Sequence, residues 1–142
     1  MKSFFVTCLS LLSLMICSCQ KNQDLERYLP GTWEVSVTAH LKASVVGVSA
    51  EQTLDQGTWL ITFEDDGYGE MVDKYDSRNS SEFTYHYRKN KGVIDYRMDG
   101  KDHRWIIDEL TRDYFLFHSN EDSSIGNIIS ASSKLTYEGR KK

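Results

Sequence analysis

Apolar and polar residues alternate along most of the chain from Thr32 onward. In WEVSVTAHL one face of an extended chain carries only apolar residues, namely Trp33, Val35, Val37, Ala39 and Leu41. TWLITFE repeats the pattern, and so does EFTYHYRK. A period of two predicts β-strands that have one covered face and one wetted face.

Turn-forming residues separate these strands at short intervals. Glycine and asparagine accept the positive φ of tight turns, and they recur in EDDGYG, DSRNSS, KNKG and MDGKD. We therefore predict eight strands, at residues 32–42, 57–64, 67–74, 82–89, 92–98, 103–109, 113–119 and 127–138. Ahead of them, the charged segment 22–29 ends at Pro30-Gly31 and predicts one or two helical turns.

Eight antiparallel strands in sequence order can close into a barrel or fold over as a sandwich. Closure removes unpaired edges, and the short turns argue against Greek-key crossovers. We therefore predict an all-β, eight-stranded up-and-down barrel. The one long connection, residues 42–57, has two interpretations: a lid over the barrel mouth, or an extension of the first two strands with Gly47 in the turn.

Two segments of the sequence resemble lipocalins. LPGTWEV, at residues 29–35, is similar to the G-x-W stretch that enters the first strand of that family, with Gly31 and Trp33 as its fixed residues. LTRDYFLF, at residues 110–117, resembles the T-D-Y stretch before the seventh strand and supplies Asp113 and Tyr114, although Arg112 interrupts it. The resemblance covers roughly residues 25–140.

This resemblance implies a fold and one further contact. In lipocalins an arginine near the end of the last strand covers the first-strand tryptophan, which would assign that role to Arg140 over Trp33. The chain departs from typical lipocalins in its shorter length and in having neither a disulfide nor a C-terminal helix. It is more similar to the compact lipocalin-like domains of bacterial lipoproteins.

Strand parity also predicts which side chains face the barrel interior. Large aromatic residues dominate, and the residues that we expect to line a cavity are Val35, Trp59, Phe63, Phe83, Tyr85, Tyr96, Trp105, Phe117 and Tyr137. Either these rings leave a pocket for a small apolar or amphipathic ligand, or they fill the barrel completely. The sequence leaves both alternatives open.

All three cysteines, Cys8, Cys17 and Cys19, lie within the first nineteen residues. Residues 1–18 have the positive start and uncharged apolar run of an export signal. Ile16-Cys17-Ser18-Cys19 resembles the lipobox of Gram-negative lipoproteins, which makes Cys19 the lipidated residue and implies acylation with chains such as palmitate. The absence of aspartate after Cys19 implies the outer membrane. We expect residues 19–24 to be a flexible tether and residues 25–142 to be the barrel domain.

Composition excludes some functions. The 142 residues have a formal net charge of −4 without a basic cluster, so we expect no nucleic-acid binding. His40, His86, His103 and His118 occur singly, and we interpret them as solvated surface residues. The turn Glu64-Asp65-Asp66 lacks the other ligands of a calcium loop. We expect neither an enzyme nor a metal or cofactor site.

Two functional hypotheses remain. The first is a membrane-anchored lipocalin-like lipoprotein that binds a small apolar or amphipathic ligand. The second is a protein-interaction module with a filled barrel, which acts on another envelope protein as an inhibitor or assembly subunit.

Replacing Cys19 with serine should release the protein from membranes, because the lipid acceptor is lost. Membrane fractionation and immunoblotting measure this, with Cys17→Ser as the control that should remain anchored. A Cys19→Ser variant that still sediments with membranes would contradict the assignment.

Overall fold

The computed structural model describes residues 25–88, 91–125 and 129–142. A helical turn at residues 25–28 precedes eight strands that follow one another around a closed antiparallel barrel. The strands are β1 (Gly31–Val45), β2 (Val48–Phe63), β3 (Tyr68–Asp73), β4 (Ser80–Arg88), β5 (Val93–Met98), β6 (Lys101–Leu110), β7 (Tyr114–Ile125) and β8 (Ile129–Lys141). The predicted fold class, strand number and helical turn are therefore confirmed. The predicted signal peptide and tether, with Cys19, lie outside the described residues.

The first hairpin resolves the question of residues 42–57. β1 and β2 pair continuously from Gly31↔Phe63 to Val45↔Val48, apart from one bulge near Val37. Val46 and Gly47 form the turn with φ of 38° and 81°, as a two-residue hairpin connection requires. The extension of the two strands is thus correct, and the lid is not present.

Strand lengths are unequal, and this gives the barrel two different ends. The closed end contains the helical turn, the start of β1 and the last residues of β8. At the open end, β3, β4, β5 and β6 stop early, whereas β1, β2, β7 and β8 continue. We call the continuing part the extension: residues 39–54 of β1 and β2, and residues 119–125 and 129–135 of β7 and β8, paired in the order β2-β1-β8-β7.

The core lies inside the barrel. It contains buried side chains from all eight strands together with Leu25 and Leu29 of the N-terminal segment. Leu41 follows the predicted parity but is 38% exposed. The reason is that it lies in the extension, beyond the short strands that would cover it.

Two glycines make room for this core. A Cβ on Gly69 would lie inside van der Waals distance of the Phe83 ring and 2.8 Å from the Thr62 carbonyl oxygen. A Cβ on Gly139 would likewise overlap the ring of Phe115. An aromatic ring from a neighbouring strand therefore packs directly on each of these glycines.

Replacing Gly69 or Gly139 with alanine should lower the free energy of unfolding by about 1–3 kcal/mol, because the added methyl group overpacks the core. Urea denaturation followed by circular dichroism measures the loss. The control is Glu70→Ala, on the exposed face beside Gly69, which should change stability by less than about 0.5 kcal/mol. Glycine variants as stable as this control would contradict the packing argument.

Candidate functional site

The closed end is sealed by contacts to the three carbonyl groups of residues 28–30. The Trp33 Nε1 donates to the Leu29 carbonyl oxygen at 2.8 Å. The Lys141 Nζ donates to the carbonyl oxygens of Tyr28 and Pro30, both at 2.7 Å, and lies 5.0 Å from the centre of the Trp33 ring. Burial lowers the pKa of the Lys141 ammonium from its usual range. Lys141 and Trp33 thus close this end of the barrel together.

The assignment of Arg140 to cover Trp33 is wrong. Arg140 pairs with Glu34 and points outward with its side chain 74% exposed, and its guanidinium lies 5.4 Å from the Tyr114 ring. Lys141 pairs with Trp33 directly and therefore shares its inner face. The cation that the resemblance predicts over Trp33 is therefore present, but it is Lys141, one residue after Arg140, and a lysine instead of an arginine.

The other lipocalin-like positions also lie at the closed end. Gly31 has φ of 120°, and a Cβ there would come within 2.9 Å of Lys141 Cε. Asp113 is exposed in the turn before β7, and its carbonyl oxygen accepts from the Lys141 N–H at 3.0 Å. Tyr114 begins β7 and is half-buried. These residues shape the sealed end, away from the open one.

Aromatic rings fill the lower and middle barrel. Of the nine residues predicted to line a cavity, Trp59 is half-buried and the others are buried. Phe63 lies at the centre, with ring centroids 5.7 Å from Phe83, 5.3 Å from Tyr85 and 5.8 Å from Trp105. The predicted lining residues therefore pack against one another in this part.

The packing loosens towards the open end. Trp59, Met98 and Leu135 contact the core but are only half-buried. Polar groups join them: the Ser119 side chain is 7% exposed, and the His103 Nδ1 lies 3.9 Å from Glu121 Oε1. The open end therefore has apolar walls with a few polar groups.

A stack of three rings connects this mouth with the core. The Tyr96 ring lies 5.0 Å from His103 and 3.8 Å from Trp105, at 20° to each. Burial raises the pKa of the Tyr96 phenol well above its usual range, and a hydrogen bond with Tyr137 adds to the shift. Burial likewise raises the pKa of the Tyr85 phenol, which donates to the Glu64 carbonyl oxygen. Both hydroxyls are neutral at physiological pH.

One donor at the base of this stack lacks a partner. The Trp105 side chain is 1% exposed, and its Nε1 has no hydrogen-bond partner among the residues that the structure describes. A buried donor left unsatisfied costs about 1–3 kcal/mol, so native proteins seldom retain one without a reason. Sequence reasoning predicted that Trp105 faces inward but gave no sign of this unmet hydrogen bond.

Several residues of the open end were missed. His103 was interpreted as a surface residue, yet it shares the parity of Trp105 and faces inward, so strand parity contained the signal. Ser119 follows the same parity from Phe117 but is polar, and Glu121 lies beyond residue 119, where the predicted strand ends, whereas β7 continues to Ile125. The remaining histidines lie outside: His86 is exposed, His40 contacts Thr53 at 2.9 Å, and His118 contacts Asp108 at 2.6 Å.

The outer surface carries two open clefts. The first, of about 690 Å³, runs over β4, β5 and β6 to the edge of β7, and its lining also includes Tyr96, His103 and Ser119 of the open end. On its floor Asp95 accepts from the Nε of Arg88 at 2.5 Å and of Arg104 at 2.6 Å, and these bonds lower the pKa of its carboxyl group. The second, of about 490 Å³, lies on the polar face of the extension. Across the described part of the chain, no three His, Cys, Asp or Glu side chains are placed to hold a metal ion.

Comparison with known proteins gives a family and two similar structures. The model of the family described as lipocalin-like domain matches residues 29–117. A structure of Ail, the attachment invasion locus protein of Yersinia pestis, is 9% identical with a TM-score of 0.40, covering 78% of this chain and 98% of that one. A second, in complex with the heparin analogue sucrose octasulfate, is 10% identical with a TM-score of 0.38, covering 79% and 99%. These values carry no information on function.

No curated protein matches the chain significantly. Within residues 25–142, no helix that the structure describes is long and apolar enough to cross a membrane.

Substitution of Lys141 by methionine should lower the free energy of unfolding by about 1–3 kcal/mol, because two carbonyl groups lose a charged donor. The matched control is Arg140→Met, one residue away on the outer face, where an exposed cation contributes little. Urea denaturation of both variants measures the difference. If Arg140→Met is the more damaging change, the assignment of the closing cation to Lys141 is wrong.

Proposed function

The chain belongs to the lipocalin-like domain family, and we propose that it is a lipid-anchored envelope protein that holds a small amphipathic molecule at the open end of its barrel. The proposal involves no catalytic step and no cofactor. The anchor is acylated Cys19, with the outer membrane as the expected location.

The unpartnered indole N–H of Trp105 carries this proposal. A ligand with a hydrogen-bond acceptor would satisfy that donor and recover the free energy that its burial costs. The hydroxyls of Tyr96 and Tyr137 lie on the same inner face and offer further polar contacts. The polar part of the ligand would therefore point inward, towards Trp105.

The walls of the open end define the rest of the ligand. Trp59, Met98 and Leu135 are half-buried and present apolar surface. Because the rings below them are in mutual contact, the molecule would be short and would lie in the upper barrel. An apolar wall with a few placed donors is typical of small-molecule sites.

A second candidate is interaction with another protein. It is favoured by the extension, whose tip exposes Val46 at 77% and Val48 at 71%. Native mass spectrometry of the protein released from its own envelope separates the two candidates. A reproducible small mass supports the ligand, and a protein mass supports the partner.

A suitable probe is 1-anilinonaphthalene-8-sulfonate, which combines aromatic rings with acceptor oxygens. Its fluorescence should rise saturably with the protein in lipid nanodiscs, relative to empty nanodiscs. Trp105→Phe should weaken binding by about tenfold, the equivalent of about one hydrogen bond.

The control for this measurement is Trp33→Phe, which alters the other fully buried tryptophan at the closed end and should leave the affinity unchanged. Circular dichroism checks that both variants remain folded. The ligand site at the open end is contradicted by equal losses in the two variants, or by no saturable binding to the unsubstituted protein.

A further inference from the structure

A long stretch of β2 has a strand on one side only. Residues 48–55 pair with β1 and Gln56 and Gly57 form the bulge, whereas the pairing of β2 with β3 begins at Trp59↔Asp73. The next contact along that edge is the Lys74 N–H to the Thr58 carbonyl oxygen at 3.0 Å. The eight residues 48–55 therefore present an edge where alternate backbone N–H and C=O groups point away from β1. Backbone groups in this arrangement accept an extended strand.

The side chains along this edge separate by face. Those paired with the inner positions of β1 are Val48, Ala50, Gln52 and Leu54, and those paired with the outer positions include Glu51, Thr53 and Asp55. The inner face continues with Leu41 and Ala43 on β1. A strand added to this edge would therefore meet a surface that is apolar apart from Gln52 on one face and polar on the other.

The charged side chains of this β2 edge, residues 48–57, are all negative. Residues 48–57, VSAEQTLDQG, contain Glu51 and Asp55 but neither lysine nor arginine. Lys42 of β1 lies 3.1 Å from Glu51, but both side chains are more than half exposed, at 61% and 71%, so this pair is weakly held. A second copy of the chain pairing through the same edge would bring acidic residues together, whereas a basic strand would be attracted.

We propose that this edge of β2 binds an extended segment of another protein as an added strand. The segment alternates apolar residues, which continue the inner face from Val48 to Leu54, with lysine or arginine opposite Glu51 and Asp55. Backbone hydrogen bonds supply the affinity, and the alternation of side chains supplies the choice of partner. This edge lies on the extension beside the open end, and strand addition there does not depend on a ligand inside the barrel.

The test uses a fluorescein-labelled ten-residue peptide of alternating lysine and valine. Its fluorescence anisotropy should rise saturably with the full chain in nanodiscs, and the lysine peptide should bind more tightly than the matching glutamate–valine peptide. Hydrogen–deuterium exchange should slow in residues 48–57 when the lysine peptide is present, because those amides gain a neighbouring strand.

A charge-neutral variant shows whether the edge is the site. Glu51→Gln with Asp55→Asn keeps the side-chain shapes, including the Asp55 oxygen that accepts from the Gly57 N–H at 2.8 Å. It should weaken the lysine peptide by about fivefold, since two exposed ion pairs are lost. The matched control, Glu70→Gln with Glu82→Gln, removes the same charge from the outer face of β3 and β4 and should have no effect.

Four outcomes of the peptide experiments overturn the proposal. They are the absence of binding, equal binding of the two peptides, equal losses in the two double variants, and protection from exchange outside residues 48–57. A dimer seen by light scattering, with residues 48–57 already protected before peptide is added, also overturns it, because a second copy would then occupy the edge.

Discussion

The limited width of an eight-stranded barrel is the constraint on which this structure depends. Such a barrel has room inside for side chains and little more. Here the inward positions of neighbouring strands carry large rings, so each ring must find space beside the others. Phe63 does so by edge-to-face contacts with three rings, and Phe83 and Phe115 do so by packing over glycines. The remaining interior of the lower barrel is thereby occupied, and Lys141 and Trp33 hold the N-terminal segment over its closed end.

Unequal strand lengths then decide where binding can occur. Where all eight strands run together, the rings cover one another and the core side chains are buried. Beyond the short strands, β1, β2, β7 and β8 continue with an inner face that has no opposite wall, so Trp59 and Leu135 remain half-exposed and Leu41 becomes exposed. The same difference in length leaves residues 48–57 without a strand on the side away from β1, since β3 is only 6 residues long and β2 has 16. The mouth and the free edge thus have one cause.

The sequence predicted the barrel and its inward residues because both follow from local patterns. A period of two assigned Phe63, Phe83 and Phe117 to the inside, and glycine-containing turns marked the strand boundaries. The sequence did not predict contacts that depend on long-range register. Whether residue 140 or 141 contacts Trp33, for example, depends on how β1 pairs with β8, about a hundred residues away. The first hairpin was left undecided because its small residues alternate weakly. The unmet hydrogen bond of Trp105 depends on three-dimensional packing, which no single-sequence pattern contains.

The position of the N-terminus relates these features to the proposed anchor. Leu25 packs at the closed end, so a lipid on Cys19 would connect to that end through residues 19–24. Six residues span at most about 20 Å even when fully extended. β1 alone has 15 residues, roughly 50 Å of extended chain, and it leads away from that end to the tip at Val46. An anchored barrel would therefore hold its sealed end towards the bilayer. Its mouth and acidic edge would face the aqueous space, where a water-borne ligand or a basic segment of another protein can reach them.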